Sequence, residues 1–104
     1  MLISGKTAIL ADEKMRELGF TDHVNSRWYR TVRLARGISF DVTIDKSSGD
    51  YEEYVLDNEF MQPYHYMTYD VKLARTVRKQ VDKQVELLQA AGLNIEVDHE
   101  AYRL

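Results

Sequence analysis

The sequence has no cysteine, a single proline at position 63, and no long apolar run. The first absence removes disulfides, thiolate nucleophiles and cysteine-ligated zinc or iron–sulfur centres, and it suits a reducing compartment. The longest segment without a formal charge, between Glu59 and Asp70, is polar and far too short to span a bilayer. The opening residues MLISGKTAILADEK hold only a brief apolar stretch before Asp12 and Glu13. No secretory leader is expected, and the chain reads as cytoplasmic.

Sites of known chemistry are equally scarce. His23, His65 and His99 have no second histidine at three or four residues, so no helical metal pair forms. Gly5-Lys6-Thr7 has the end of a phosphate-binding loop without its preceding strand and first glycine. The acidic run Asp50, Glu52, Glu53, Asp57, Glu59 lacks the glycine and final glutamate of a calcium loop, and reads as a solvated strand face. No serine or threonine sits in a nucleophile elbow. The expectation is a non-enzymatic protein with no catalytic residue, no metal and no cofactor.

What is present describes an ordinary folded domain. The 104 residues are 44% hydrophobic and 30% charged, which fits one domain with its own core. Net charge is −3, unevenly spread. Arg27, Arg30, Arg33 and Arg36 carry one segment, and the acids from Asp41 to Glu59 dominate the next. Adjacent segments of opposite sign are most simply cross-strand partners.

Thr7 to Leu18 reads as a first helix, with Ala8, Ala11, Met15 and Leu18 at helical spacing and Gly19 as its stop. Arg27 to Leu34 alternates, Ala35-Arg36-Gly37 forms a turn, and Ile38 to Asp45 alternates again. Pairing Leu34 with Ile38 sets Val32 beside Phe40, Arg30 beside Val42 and Trp28 beside Ile44. The other face then receives Arg27, Tyr29, Thr31 and Arg33 against Ser39, Asp41, Thr43 and Asp45. Tyr51 to Leu56 is a third strand, with Tyr54 and Leu56 expected on the core side. Asp57 to Met67 is a long connection.

Thr68 is the expected N-cap of a long helix running to about Ala91, whose stripe is Val71, Ala74, Val77, Val81, Val85 and Leu88. Gly92 supplies the stop, with Leu93 folding back, and Asn94 to Asp98 is a short fourth strand. The fold class is therefore α+β: a two-layer sandwich in which a three-stranded antiparallel meander packs on the C-terminal helix. The order is helix, three strands, helix, short strand. A double-stranded-RNA-binding domain shares the first five elements, but its basic cluster is missing at Thr68-Tyr69-Asp70-Val71-Lys72.

Two surfaces invite a partner. Arg27, Tyr29 and Arg33 share the outer face of the first strand and form the nucleic-acid-binding candidate, unless they pair with Asp41, Asp45 and the acidic third strand. Tyr64, His65 and Tyr66 follow Pro63, which holds Gln62 extended and bars a helix from starting there. They read first as a lid over the open end of the core and second as a protein-binding surface. A protein partner or self-association is expected ahead of nucleic acid, and no membrane.

The run Ile44-Asp45-Lys46-Ser47-Ser48-Gly49-Asp50-Tyr51-Glu52-Glu53, continuing through Phe60-Met61-Gln62-Pro63-Tyr64-His65-Tyr66, resembles small uncharacterised proteins of Gram-positive bacteria, lactic acid bacteria among them, and of their phages. The likeness covers roughly residues 18–66 and includes the Trp-Tyr strand. It implies an origin and carries no function. Met61 stands where the resemblance leads one to expect glycine, which alters the turn before Gln62.

Overall fold

In the computed structural model, residues 3–23, 26–66 and 70–102 are described. Chain order is β1 (Ile3–Lys6), α1 (Asp12–Glu17), β2 (Arg27–Ala35), β3 (Ile38–Asp45), β4 (Asp50–Asp57), β5 (Gln62–Pro63), α2 (Val71–Ala90) and a 3-10 turn at His99–Tyr102. The strands form one antiparallel sheet in the order β1-β4-β3-β2, with β5 also paired to β4. The fold is α+β, with α2 as the long helix.

The central hairpin has the register its alternation dictates: Val32 opposite Phe40, Arg30 opposite Val42, Trp28 opposite Ile44. At the turn the pairing slips, so that Ala35 rather than Leu34 faces Ile38 across a bulge. Trp28, Phe40, Val42 and Ile44 are buried on one face, together with Val77, Val81 and Leu88 of α2. Each such side chain contributes about 1.5–3 kcal/mol on leaving water.

Arg30 lies on this core face and is buried. Its Nε–H donates to the Leu18 carbonyl at 2.8 Å and its Nη2 donates to Gln84 Oε1 at 2.6 Å. A buried cation is tolerable only with such partners. Here it ties the end of α1 and the middle of α2 to β2. Desolvation pulls its guanidinium below the ordinary value.

Four expectations are corrected. The first helix is shorter, because residues 3–6 form β1 against β4 and leave Ala8 and Ala11 exposed. Of its proposed stripe only Met15 is buried. The core side of β4 is Tyr51, Glu53 and Val55, not Tyr54 and Leu56, because the β3–β4 turn sets Tyr51 opposite Ile44. Residues 94–98 form no strand, since β1 and β5 already occupy the free side of β4. Their backbone is held instead by side chains: Asn94 N–H donates to Thr7 Oγ1 (2.7 Å), Glu96 N–H to the Tyr51 hydroxyl (3.1 Å), and Gln89 to the Ile95 carbonyl (2.9 Å). Ile95 still reaches the core and is fully buried.

The fourth correction concerns the start of α2. Its N-cap is Asp70, whose carboxylate accepts from Leu73 N–H at 2.9 Å, and Val71 of the expected stripe is exposed. Thr68 lies outside the described residues. The helix ends as anticipated: Gly92 at φ +111° lets its N–H reach Gln89 O and the Leu93 N–H reach Leu88 O.

Candidate interaction surface

The outer face of the sheet carries Arg27, Tyr29 and Arg33 as the alternation requires. Neither arginine has an acid within ion-pair distance among the described residues. Asp45 opposite Arg27 spends its carboxylate locally, accepting from Ser47 Oγ (2.7 Å), Ser47 N–H (2.9 Å) and Ser48 N–H (3.0 Å). These bonds hold its pKa at about 2. Local hydrogen bonds of this kind outweigh an exposed ion pair, which contributes ~0–1 kcal/mol. Asp41 faces Ser39 and Thr31, and its burial pushes its carboxyl above the ordinary value.

The charges on this face do not sum to a cationic patch. Lys6, Arg27 and Arg33 stand among Asp41, Asp45, Asp50 and Glu52, and Lys6 is already bonded to Asp50 at 3.4 Å. An open groove of about 390 Å³ between Lys6, Arg27, Asp45 and Glu52 shares this mixed character.

The aromatic crossing is mostly interior. Tyr64 is 5% exposed, and its ring meets Tyr66 edge-on at 5.9 Å and 72°. Its N–H donates to Val55 O at 2.8 Å, so backbone and ring both bind the segment to the core. His65 and Tyr66 are half-buried.

Tyr66 is held from the far end of the chain. His99 Nε2 lies 2.7 Å from Asp82 Oδ1, and Nδ1 lies 2.9 Å from the Tyr66 hydroxyl. Since the carboxylate can only accept, Nε2 of a neutral ring carries the hydrogen and Nδ1 accepts from the phenol. The order acid, imidazole, hydroxyl is that of a catalytic triad, but the electrostatics oppose activation. Burial, the nearby Glu53 and Asp82 all push the Tyr66 phenol above its usual range. The phenol is thus held neutral, and His99 of the C-terminal turn bridges Tyr66 of the crossing to Asp82 of α2. Among the described residues no three metal-binding side chains converge.

Sequence reasoning missed the turn between β4 and β5. The expected long connection is a hairpin followed by the crossing, because β5 pairs with Leu56 and Asp57. Asp57 Oδ1 accepts from Glu59 N–H (3.0 Å) and Phe60 N–H (3.4 Å). Asn58 is tied to the neighbouring hairpin, its N–H to Gly37 O at 2.8 Å and its amide to Ser39 Oγ at 3.1 Å. At the tip of this braced turn Phe60 is 70% exposed and Met61 is 72% exposed.

Met61 also has φ +51°, the one non-glycine left-handed residue among those described. That conformation costs a side-chain-bearing residue about 1–2 kcal/mol. Met61→Gly should stabilise the protein by about 0.5–1 kcal/mol, the relieved strain less the added chain entropy. Thermal unfolding checks this: the midpoint should rise by a few degrees, and a fall would show that the side chain supports the turn.

The molecule is therefore a two-layer α+β domain that presents a braced apolar tip. Comparison with family models, curated proteins and solved structures finds no match to this chain.

Proposed function

We propose that the protein is a non-enzymatic interaction module, and that the Phe60–Met61 tip enters an apolar cleft on a protein partner. One observation carries the reading: two adjacent large apolar side chains, 70% and 72% exposed, sit on a turn fixed by Asp57 and Asn58. Aromatic residues and methionine are enriched at interface centres. A turn ordered before binding loses less entropy on docking. Strain retained at an exposed tip is also typical of functional sites.

This reading moves the partner surface from Tyr64, His65 and Tyr66 to the turn preceding them, since Tyr64 is occupied in the core. Nucleic acid ranks below a protein, because Arg27 and Arg33 share their face with a larger number of carboxylates. Self-association through the same tip is the other protein partner to be distinguished.

A photoreactive phenylalanine analogue placed at position 60 tests the proposal. In an extract of the native host it should form a discrete adduct, whereas the same probe replacing Leu87, 45% exposed on α2, should not. Phe60→Ala should weaken capture by about tenfold or more. An adduct of twice the protein's own mass identifies a second copy as the partner. Equal labelling from both positions, or none from position 60, would overturn the reading.

A further inference from the structure

We propose that Met61 is an oxidation site that switches the tip off, an inference resting on the docking reading above. Two methionines have described surroundings, and they contrast: Met15 is fully buried under α1, while Met61 is 72% exposed. A thioether reacts with peroxide according to its access. The sulfur donates an electron pair to one peroxide oxygen, the S–O bond forms as the O–O bond breaks, and water leaves. Sulfur is oxidised by two electrons and the peroxide is reduced. The product is a polar sulfoxide, reducible by methionine sulfoxide reductases.

The position suits a switch because the Met61 side chain is 72% exposed and the turn's side-chain hydrogen bonds come from other residues. Asp57 and Asn58 make the bracing hydrogen bonds, all to backbone groups or to Ser39. Sulfoxide at Met61 therefore changes the character of the tip and leaves the fold in place. An exposed leucine would supply similar apolar area and would be inert to peroxide. The buried Met15, by contrast, reacts only when the structure opens.

Hydrogen peroxide treatment of the native protein, followed over time by peptide mass spectrometry, tests this. Met61 should oxidise about tenfold faster than Met15 or more. Retention on a hydrophobic-interaction column should fall as Met61 sulfoxide accumulates, with the melting temperature unchanged, and a reductase should restore it. Met61→Leu should keep its retention under peroxide. The proposal is overturned if Met61 and Met15 oxidise together. It is also overturned if oxidation lowers the melting temperature, or if Met61→Leu shows the same loss of retention, which would place the change at Met1 or Met67. The position-60 probe separates the two readings. Adducts from both oxidised and reduced protein would sink the switch alone. No adduct from reduced protein would sink the docking reading and leave the oxidation results standing.

Discussion

Truncating Tyr64 to alanine should lower the unfolding free energy by about 3 kcal/mol, the lower end for a buried aromatic side chain. The ring is 5% exposed and packs edge-on against Tyr66, so its removal leaves a cavity at the end of the core. For a chain of this length the melting temperature should drop by roughly 12 °C or more. Urea unfolding gives the free energy directly. A loss below about 1 kcal/mol would mean that the crossing is loosely packed, and would return Tyr64 to the list of partner-facing residues. Tyr66→Phe should cost less, because the ring stays while the hydroxyl, with its bond to His99, is lost.

Gly49→Ala should be comparably damaging for a different reason. Gly49 has φ +76°, and an added Cβ would run into the Thr7 carbonyl oxygen. The same two residues share a backbone bond, Thr7 N–H to Gly49 O at 2.9 Å. Thr7 in turn accepts the Asn94 N–H at 2.7 Å, so one small turn fastens the first strand and the C-terminal segment together. Left-handed strain alone costs about 1–2 kcal/mol, and the backbone collision adds to it, for an expected total of about 3 kcal/mol. Gly37→Ala is the matched control. It has φ +74°, but the nearest atom its Cβ would meet is on the flexible Glu59 side chain, at 3.5 Å. Equal losses at the two glycines in urea unfolding would show that Thr7 moves aside freely.

The parts of the fold legible in advance are those governed by local pattern. Alternation on both arms of the β2–β3 hairpin allows one register in which apolar residues share a face, and slipping by one would expose every one of them. The α2 stripe at three- and four-residue steps and the Gly92 stop are local in the same sense. β1 was illegible because Ile3-Ser4-Gly5-Lys6 has no alternation to speak of. It is a strand because β4 has a free edge there, and its partners lie about fifty residues away.

The face of β4 misled for a related reason. Putting Glu53 inward looks prohibitive on its own, yet the length of the β3–β4 turn fixes the parity of the strand. Tyr51 and Val55 then carry Glu53 into the core with them. The candidate site was half legible. The aromatic crossing stood out by composition and proved to be mainly structural, while the Phe60–Met61 tip was visible as residues but not as a surface.

Taken alone, the sequence determined the fold class, the central hairpin register, the stop of the long helix, and the absence of cysteine chemistry. Each follows from short-range periodicity or residue identity. Tertiary structure decided the fate of groups whose environment is built by distant segments. It placed Arg30 and Glu53 inside, left Arg27 and Arg33 without an ion pair among the described residues, and joined Tyr66 through His99 to Asp82. It also lifted Phe60 and Met61 into solvent on a turn that Asp57 and Asn58 hold. Burial and exposure are sums over neighbours, and the neighbours here come from strands and helices far apart in the chain.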